Sequence, residues 1–288
     1  MSKNMTVEKT FASAIQNHQK NNFKAAEDLY NQILEIDPNH IKTIFFLGTL
    51  SVQTKNFDRA KQMLQKTIQA QPNNVDAYNN LGVVFKEFEE FQKAKDCFEK
   101  VIQIQPKHVD ALNNLGNVFK QLNEPQKAIN YYQKAIEIEP SYINAHQNLM
   151  DVCEKTNQIT ELKDAVSNAR TFFKDNSIIK LYEGILLSRN EKFVEAKNYL
   201  ESILFETKEI KNEILRVSTL AKCYDRIGGT DKAFNYFKKA NLLSQKTKIK
   251  NFDKNKYLQE IKIRKEFFKK SNIKKWPVLK QPDNEPNP

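Results

Sequence analysis

The sequence predicts an all-α fold: a right-handed superhelix, or α-solenoid, of about seven helix-turn-helix repeats with a C-terminal capping helix. Three observations carry that prediction. Gly48, Gly82 and Gly116 stand 34 residues apart, and Leu47, Leu81, Leu115 and Ala60, Ala94, Ala128 keep the same spacing. Pro38, Pro72, Pro106 and Pro140 recur at that interval as well. A fixed period of this length marks stacked units, none of which covers its own apolar face. Only six glycines occur in 288 residues, which favours helix throughout.

The stretch Val75–His108 shows how one unit is built. Leu81, Gly82, Phe85 and Phe88 fall at helical spacing and give a first helix with an apolar stripe. Glu89-Glu90 form a short turn, and Phe91 opens a second helix whose buried stripe is Ala94, Cys97, Phe98, Val101 and Ile102. Gly82 and Ala94 are small because the paired helices cross closely, where a bulky side chain would overpack. Gln105-Pro106 ends the second helix, since proline lacks the amide that a continuing helix needs. With its 34-residue length, this pattern resembles the tetratricopeptide (TPR) repeat, which implies stacked hairpins and a protein- or peptide-binding role.

The elements follow in order. Residues 1–6 are expected to be a disordered start. Repeats are predicted at 7–40, 41–74, 75–108, 109–142, 143–176, 177–210 and 214–247, with Lys211–Glu213 breaking the register. In the first, Ala14 replaces the signature glycine. Pro125 falls in the first turn of a second helix, where its missing amide does no harm. The fifth repeat has Met150 for glycine, Leu162 for the small alanine and no closing proline, so its packing should be altered. Residues 248–275 read as a basic capping or linker helix, with Tyr257, Ile261, Arg264, Phe267 and Phe268 near helical spacing. Residues 276–288 should be an extended, proline-rich tail.

Composition narrows the function classes. The net charge of +11 is uneven: residues 248–288 hold 12 Lys/Arg against 5 Asp/Glu, so seven of the eleven charges lie in that segment. Lys262, Arg264, Lys265, Lys269, Lys270, Lys274 and Lys275 read as the solvated face of the capping helix, their stems over apolar surface. No nucleic-acid-binding fold accompanies them, so nucleic acid is not expected as a partner. No run of 18 apolar residues occurs, so no membrane span is expected. The opening MSKNMTVEK lacks the apolar core of a secretory signal, and a cytoplasmic, bacterial protein is expected. Cys97, Cys153 and Cys223 are far apart at buried helical positions and read as reduced packing thiols. No His-x-x-x-His, Cys-x-x-Cys, paired-carboxylate or Gly-x-x-x-x-Gly-Lys motif appears, so neither a catalytic nor a metal site is predicted.

The candidate site is a ladder of amides. Asn80, Asn114 and Asn148 share one repeat position, Asn79, Asn113 and Gln147 precede them, and Asn117 and Asp151 lie one turn on. First helices of successive repeats should line the concave surface. Amides there can pair with the backbone of an extended peptide without reading its side chains. The alternative is local bonding between neighbouring helices. The ladder resembles that of the TPR superhelix of O-linked N-acetylglucosamine transferases, which implies peptide binding in the groove. Chaperone-binding TPR domains clamp a carboxylate with lysine where this chain has Phe45, Asn79 and Asn113, so that clamp is absent.

Leu220–Leu243, LAKCYDRIGGTDKAFNYFKKANLL, with the FDKNKY and IRKEFF segments after it, is similar to the last repeat and linker of bacterial TPR–sulfotransferase fusions. That resemblance implies a substrate- or partner-recruiting region, with a sulfotransferase domain following residue 288. No cofactor is expected on this chain itself. The donor 3′-phosphoadenylyl sulfate, and sulfotransferase activity, would come only with such a domain. The other readings are a free-standing adaptor for a multiprotein complex and the TPR region of an O-GlcNAc-transferase-like enzyme.

Overall fold

Where the paired helices cross, the sequence places its smallest side chains against its largest. A Cβ added to Gly82 would lie 2.7 Å from the ring of Phe98, and one added to Gly116 would overlap the ring of Tyr132. Both aromatic rings are fully buried, so neither can swing into solvent. This pairing fixes hairpins of nearly constant geometry, as a computed structural model of residues 2–205 and 209–248 shows.

Fourteen helices are described, in pairs. They are α1 (Ser2–Gln19) with α2 (Phe23–Ile36), α3 (Ile41–Gln53) with α4 (Phe57–Ala70), and α5 (Val75–Glu87) with α6 (Phe91–Ile104). Next come α7 (Val109–Gln121) with α8 (Pro125–Ile138), and α9 (Ile143–Lys155) with α10 (Ile159–Phe172). The last are α11 (Ser177–Arg189), α12 (Phe193–Glu201), α13 (Ile210–Arg226) and α14 (Thr230–Lys248). No strand occurs among the described residues, and the all-α solenoid fold holds. The chain forms two compact units, Met1–Leu186 and Leu187–Pro288.

Helix ends follow local chemistry. His40 and His108, alike in register, cap α3 and α7: their Nδ1 atoms accept the amides of Thr43 and Ala111 at 3.4 and 3.2 Å. Asn56 and Asn74 do the same for Arg59 and Ala77 at 3.3 and 2.9 Å. Pro125 opens α8. Between the helices of each hairpin one residue is left-handed: Asn21, Lys55, Glu89, Asn123, Asn157 and Glu191, all with φ between 58° and 61°. They too are 34 apart, and Gly228 (φ 81°) takes the role 37 residues after Glu191.

Three elements depart from the sequence prediction. Helix α1 begins at Ser2, inside the segment expected to be disordered. Helix α12 has 9 residues where earlier second helices have 14, and α13 has 17 where α3, α5, α7, α9 and α11 have 13. The register break is therefore absorbed by shortening one helix and adding a turn, Ile210–Glu213, to the next. That extra turn is anchored: Glu213 accepts from Arg216 Nε at 2.7 Å and Lys239 Nζ at 2.7 Å, while Arg216 Nη1 donates to the Leu200 carbonyl at 3.0 Å. In the fifth hairpin Met150 and Leu162 are fully buried, and α9 and α10 pack less intimately than the three preceding pairs. The capping helix predicted for 248–275 and the tail at 276–288 lie outside the described residues, apart from Lys248 at the end of α14.

Candidate functional site on the odd-numbered helices

In the first unit the odd-numbered helices touch in succession, α1 with α3, α3 with α5, α5 with α7 and α7 with α9, whereas the even-numbered helices make no comparable contact with one another. Closer approach on one side curves the stack toward that side. The odd helices therefore line the concave face, and all eight predicted site residues lie on α5, α7 and α9.

Most of them are already engaged. Asn80 Nδ2 donates to Thr49 Oγ1 on α3 at 3.1 Å. Asn148 Nδ2 on α9 donates to Asn113 Oδ1 on α7 at 2.9 Å, and Asn113 is only 6% exposed. Asn117 Oδ1 accepts the hydroxyl of Tyr132 at 3.0 Å, so it orients the ring that packs on Gly116. Asp151 receives Lys120 at 3.3 Å and Lys155 at 2.9 Å. Gln147 is half-buried on α9.

Asn79 and Asn114 differ. They occupy the same relation as Asn113 and Asn148, one repeat earlier, yet no bond joins them. Asn79 Oδ1 is shielded from solvent without a hydrogen-bond partner, and Asn114 is half-buried with no bonded partner among the described residues. An unmet buried acceptor typically costs about 1–3 kcal/mol, so this pair attracts a donor.

The remaining polar groups are quiet. His18 sits between Tyr30 (3.2 Å) and Gln53 (2.8 Å). Cys97, Cys153 and Cys223 are buried free thiols, and burial pushes Cys97 up to about 12 and Cys153 to about 11. They are inert as nucleophiles at neutral pH. Among the described residues no group of three or more His, Cys, Asp or Glu could hold a metal ion, and no helix is long and apolar enough to cross a membrane. Sequence reading missed Thr49 and Tyr132 as partners of the ladder, because those bonds join residues 31 and 15 positions apart rather than a full period.

Residues 75–108 and 109–142 match one tetratricopeptide repeat family model, and residues 18–82 match a second. Residues 18–142 therefore match tetratricopeptide repeats. Among solved structures, MamA shares 27% identity over 56% of this chain and 96% of its own, with a TM-score of 0.51. A tetratricopeptide repeat protein from Parabacteroides merdae ATCC 43184 aligns over 90% of this chain and 98% of its own, at 16% identity and TM-score 0.64. YrrB, described as a TPR protein with an unusual peptide-binding site, aligns over 73% of this chain and 97% of its own at 18% identity and TM-score 0.50. No curated protein is significantly similar in sequence to this chain.

Proposed function

We propose that this chain is a non-catalytic scaffold that takes an extended peptide of a partner protein along the concave face of its first unit, with Asn79 and Asn114 as main-chain partners. The observation that carries this reading is the unsatisfied Oδ1 of Asn79 on α5, with Asn114 on α7 also without a bonded partner among the described residues. A peptide backbone offers both an N–H for Asn79 Oδ1 and a carbonyl for Asn114 Nδ2. Asn80, Asn113, Asn117, Gln147, Asn148 and Asp151 then frame the groove, several of them holding adjacent helices in place. The repeat family supports a binding role, and the peptide-binding site of YrrB supports a peptide as ligand. The test uses an extended peptide selected by display against the full chain. Asn79→Ala with Asn114→Ala should weaken its binding roughly tenfold or more, with little change in melting. Asn80→Ala should lower melting and leave affinity unchanged. The opposite pattern would make the ladder purely structural.

A partner-recruiting role beside a sulfotransferase domain rests on the resemblance of Leu220–Leu243 alone. Reading the gene downstream of residue 288 for a Pro-Arg-Ser-Gly-Thr loop decides it, and with it any role for 3′-phosphoadenylyl sulfate.

A further inference from the structure

The curvature that closes the odd helices together parts the even ones. Between α8 and α10, floored by α9, it leaves a cleft of about 390 Å³ on the face opposite the amide ladder. Its lining includes Glu137, Glu161 and Asp164, with Gln133 and Asn168 beside them, and no lysine or arginine. None of the three carboxylates has an ion-pair partner among the described residues.

His146 on the floor is the second, independent observation. It is 1% exposed; its Nε2 bonds the Pro140 carbonyl at 2.9 Å, which makes Nε2 the donor and leaves Nδ1 an acceptor. That Nδ1 is buried and has no hydrogen-bond partner. Burial lowers the pKa of the ring, the bond to Pro140 opposing it, so the imidazole stays neutral and its lone pair available.

The repeat register shows that these features were not inherited from a common pattern. His146 stands where the second to fourth repeats have Ile44, Tyr78 and Leu112. Glu161 stands where they have Lys127, Lys93 and Arg59, and Asn168 where they have Lys134, Lys100 and Lys66. Three departures meet at one cleft: an apolar floor residue becomes an acceptor, and two bases give way to an acid and an amide.

We infer that this cleft binds an arginine side chain of a partner protein. Guanidinium is a planar donor with no acceptor, which suits a ring of carboxylates above a lone-pair floor. Lysine, a point charge, satisfies fewer of these acceptors at once. The site is separate from the concave groove and stands or falls without it.

The experiment titrates the full chain with a capped Gly-Gly-Arg-Gly-Gly peptide and its lysine and citrulline counterparts, following affinity by calorimetry and the His146 ring nitrogens by NMR. The arginine peptide should bind most tightly and shift the Nδ1 resonance of His146. Glu161→Lys, which restores the residue type of the second to fourth repeats at an exposed helical position, should weaken binding at least about tenfold without lowering the melting temperature. Asp164→Asn should weaken it less. His146→Leu should keep the fold and abolish the preference for arginine over lysine. Equal binding of the arginine and lysine peptides to the unaltered chain would overturn the proposal. So would full binding by Glu161→Lys, or no shift at His146.

Discussion

The fourth and fifth repeats close the same helix crossing with opposite choices. In the fourth, Gly116 lies beneath Tyr132; in the fifth, their register counterparts are Met150 and Val166. All four positions are buried. The large residue has moved from the second helix to the first, and the small one has moved the other way. What the period conserves is therefore closer to a shared volume than to a particular residue, as expected where cores tolerate substitution if volume is kept.

The sharpest way to break this comparison is to remove the exchanged volume. Met150→Gly should cost about 4 kcal/mol, from the cavity and the loss of helix propensity together. Val166→Tyr added to it should recover at least half, as read by denaturant unfolding. A double variant no more stable than Met150→Gly alone would mean that the two positions do not share one space. A smaller effect is expected at the glycines themselves. Gly82→Ala, whose Cβ would meet Phe98 at 2.7 Å, should cost about 2 kcal/mol. Gly48→Ala meets Met63 Cβ at 3.1 Å, and there the propensity gain of about 1 kcal/mol should nearly cancel the strain.

Much of this was legible in the sequence. Gly82, Ala94 and Phe98 announce the helix crossing through spacing alone, and the helix starts at Phe91 and Pro125 fall where their residue types put them. The departures of Met150 and Leu162 were equally visible. The bonding state of the amides was not. Asn148 reaches Asn113 across 35 residues while Asn114 leaves Asn79 open at the same separation, a difference set by side-chain torsions that no period encodes. His146 could have been flagged, since it puts an imidazole where Ile44, Tyr78 and Leu112 stand. The length of α13 was hidden because the residues that break the register, Lys211–Glu213, also make acceptable helix.

The second unit holds its register break with charge where the first holds its crossings with volume. Burial pushes the Glu213 carboxyl upward, but the bonds from Arg216 and Lys239 outweigh it and hold the group below its ordinary 4.5. A carboxyl lowered on folding contributes stability that is fully present above its unfolded value and is lost as pH falls through the folded one. Melting of the chain should therefore fall off below about pH 4.5 by this route, and Glu213→Gln should flatten that limb at a cost of about 1 kcal/mol near neutrality. An unchanged acid limb would show that the pair does not anchor the added turn.

The smallest effect concerns the hairpin turns, where the last differs from the six before it. The first unit puts Lys55 and Glu89 in left-handed geometry, which costs an ordinary residue about 1–2 kcal/mol. The second unit keeps Glu191 in that geometry but has Gly228 at its last turn, with nothing within 4 Å of an added Cβ. Glycine relieves the steric cost but adds about 0.5–1 kcal/mol of chain entropy to be lost on folding. Glu89→Gly should therefore gain only about 0.5 kcal/mol. Asn123→Gly should gain nothing, because asparagine visits this region readily through local bonding of its short amide. Gly228→Ala should run the other way, losing about 1 kcal/mol by backbone strain alone, since there is no neighbour to clash with. Denaturant midpoints of the three variants rank these effects. If Glu89→Gly proves destabilising while Gly228→Ala is neutral, the turns are held by something other than backbone preference, and the contrast between the last turn and the earlier ones disappears.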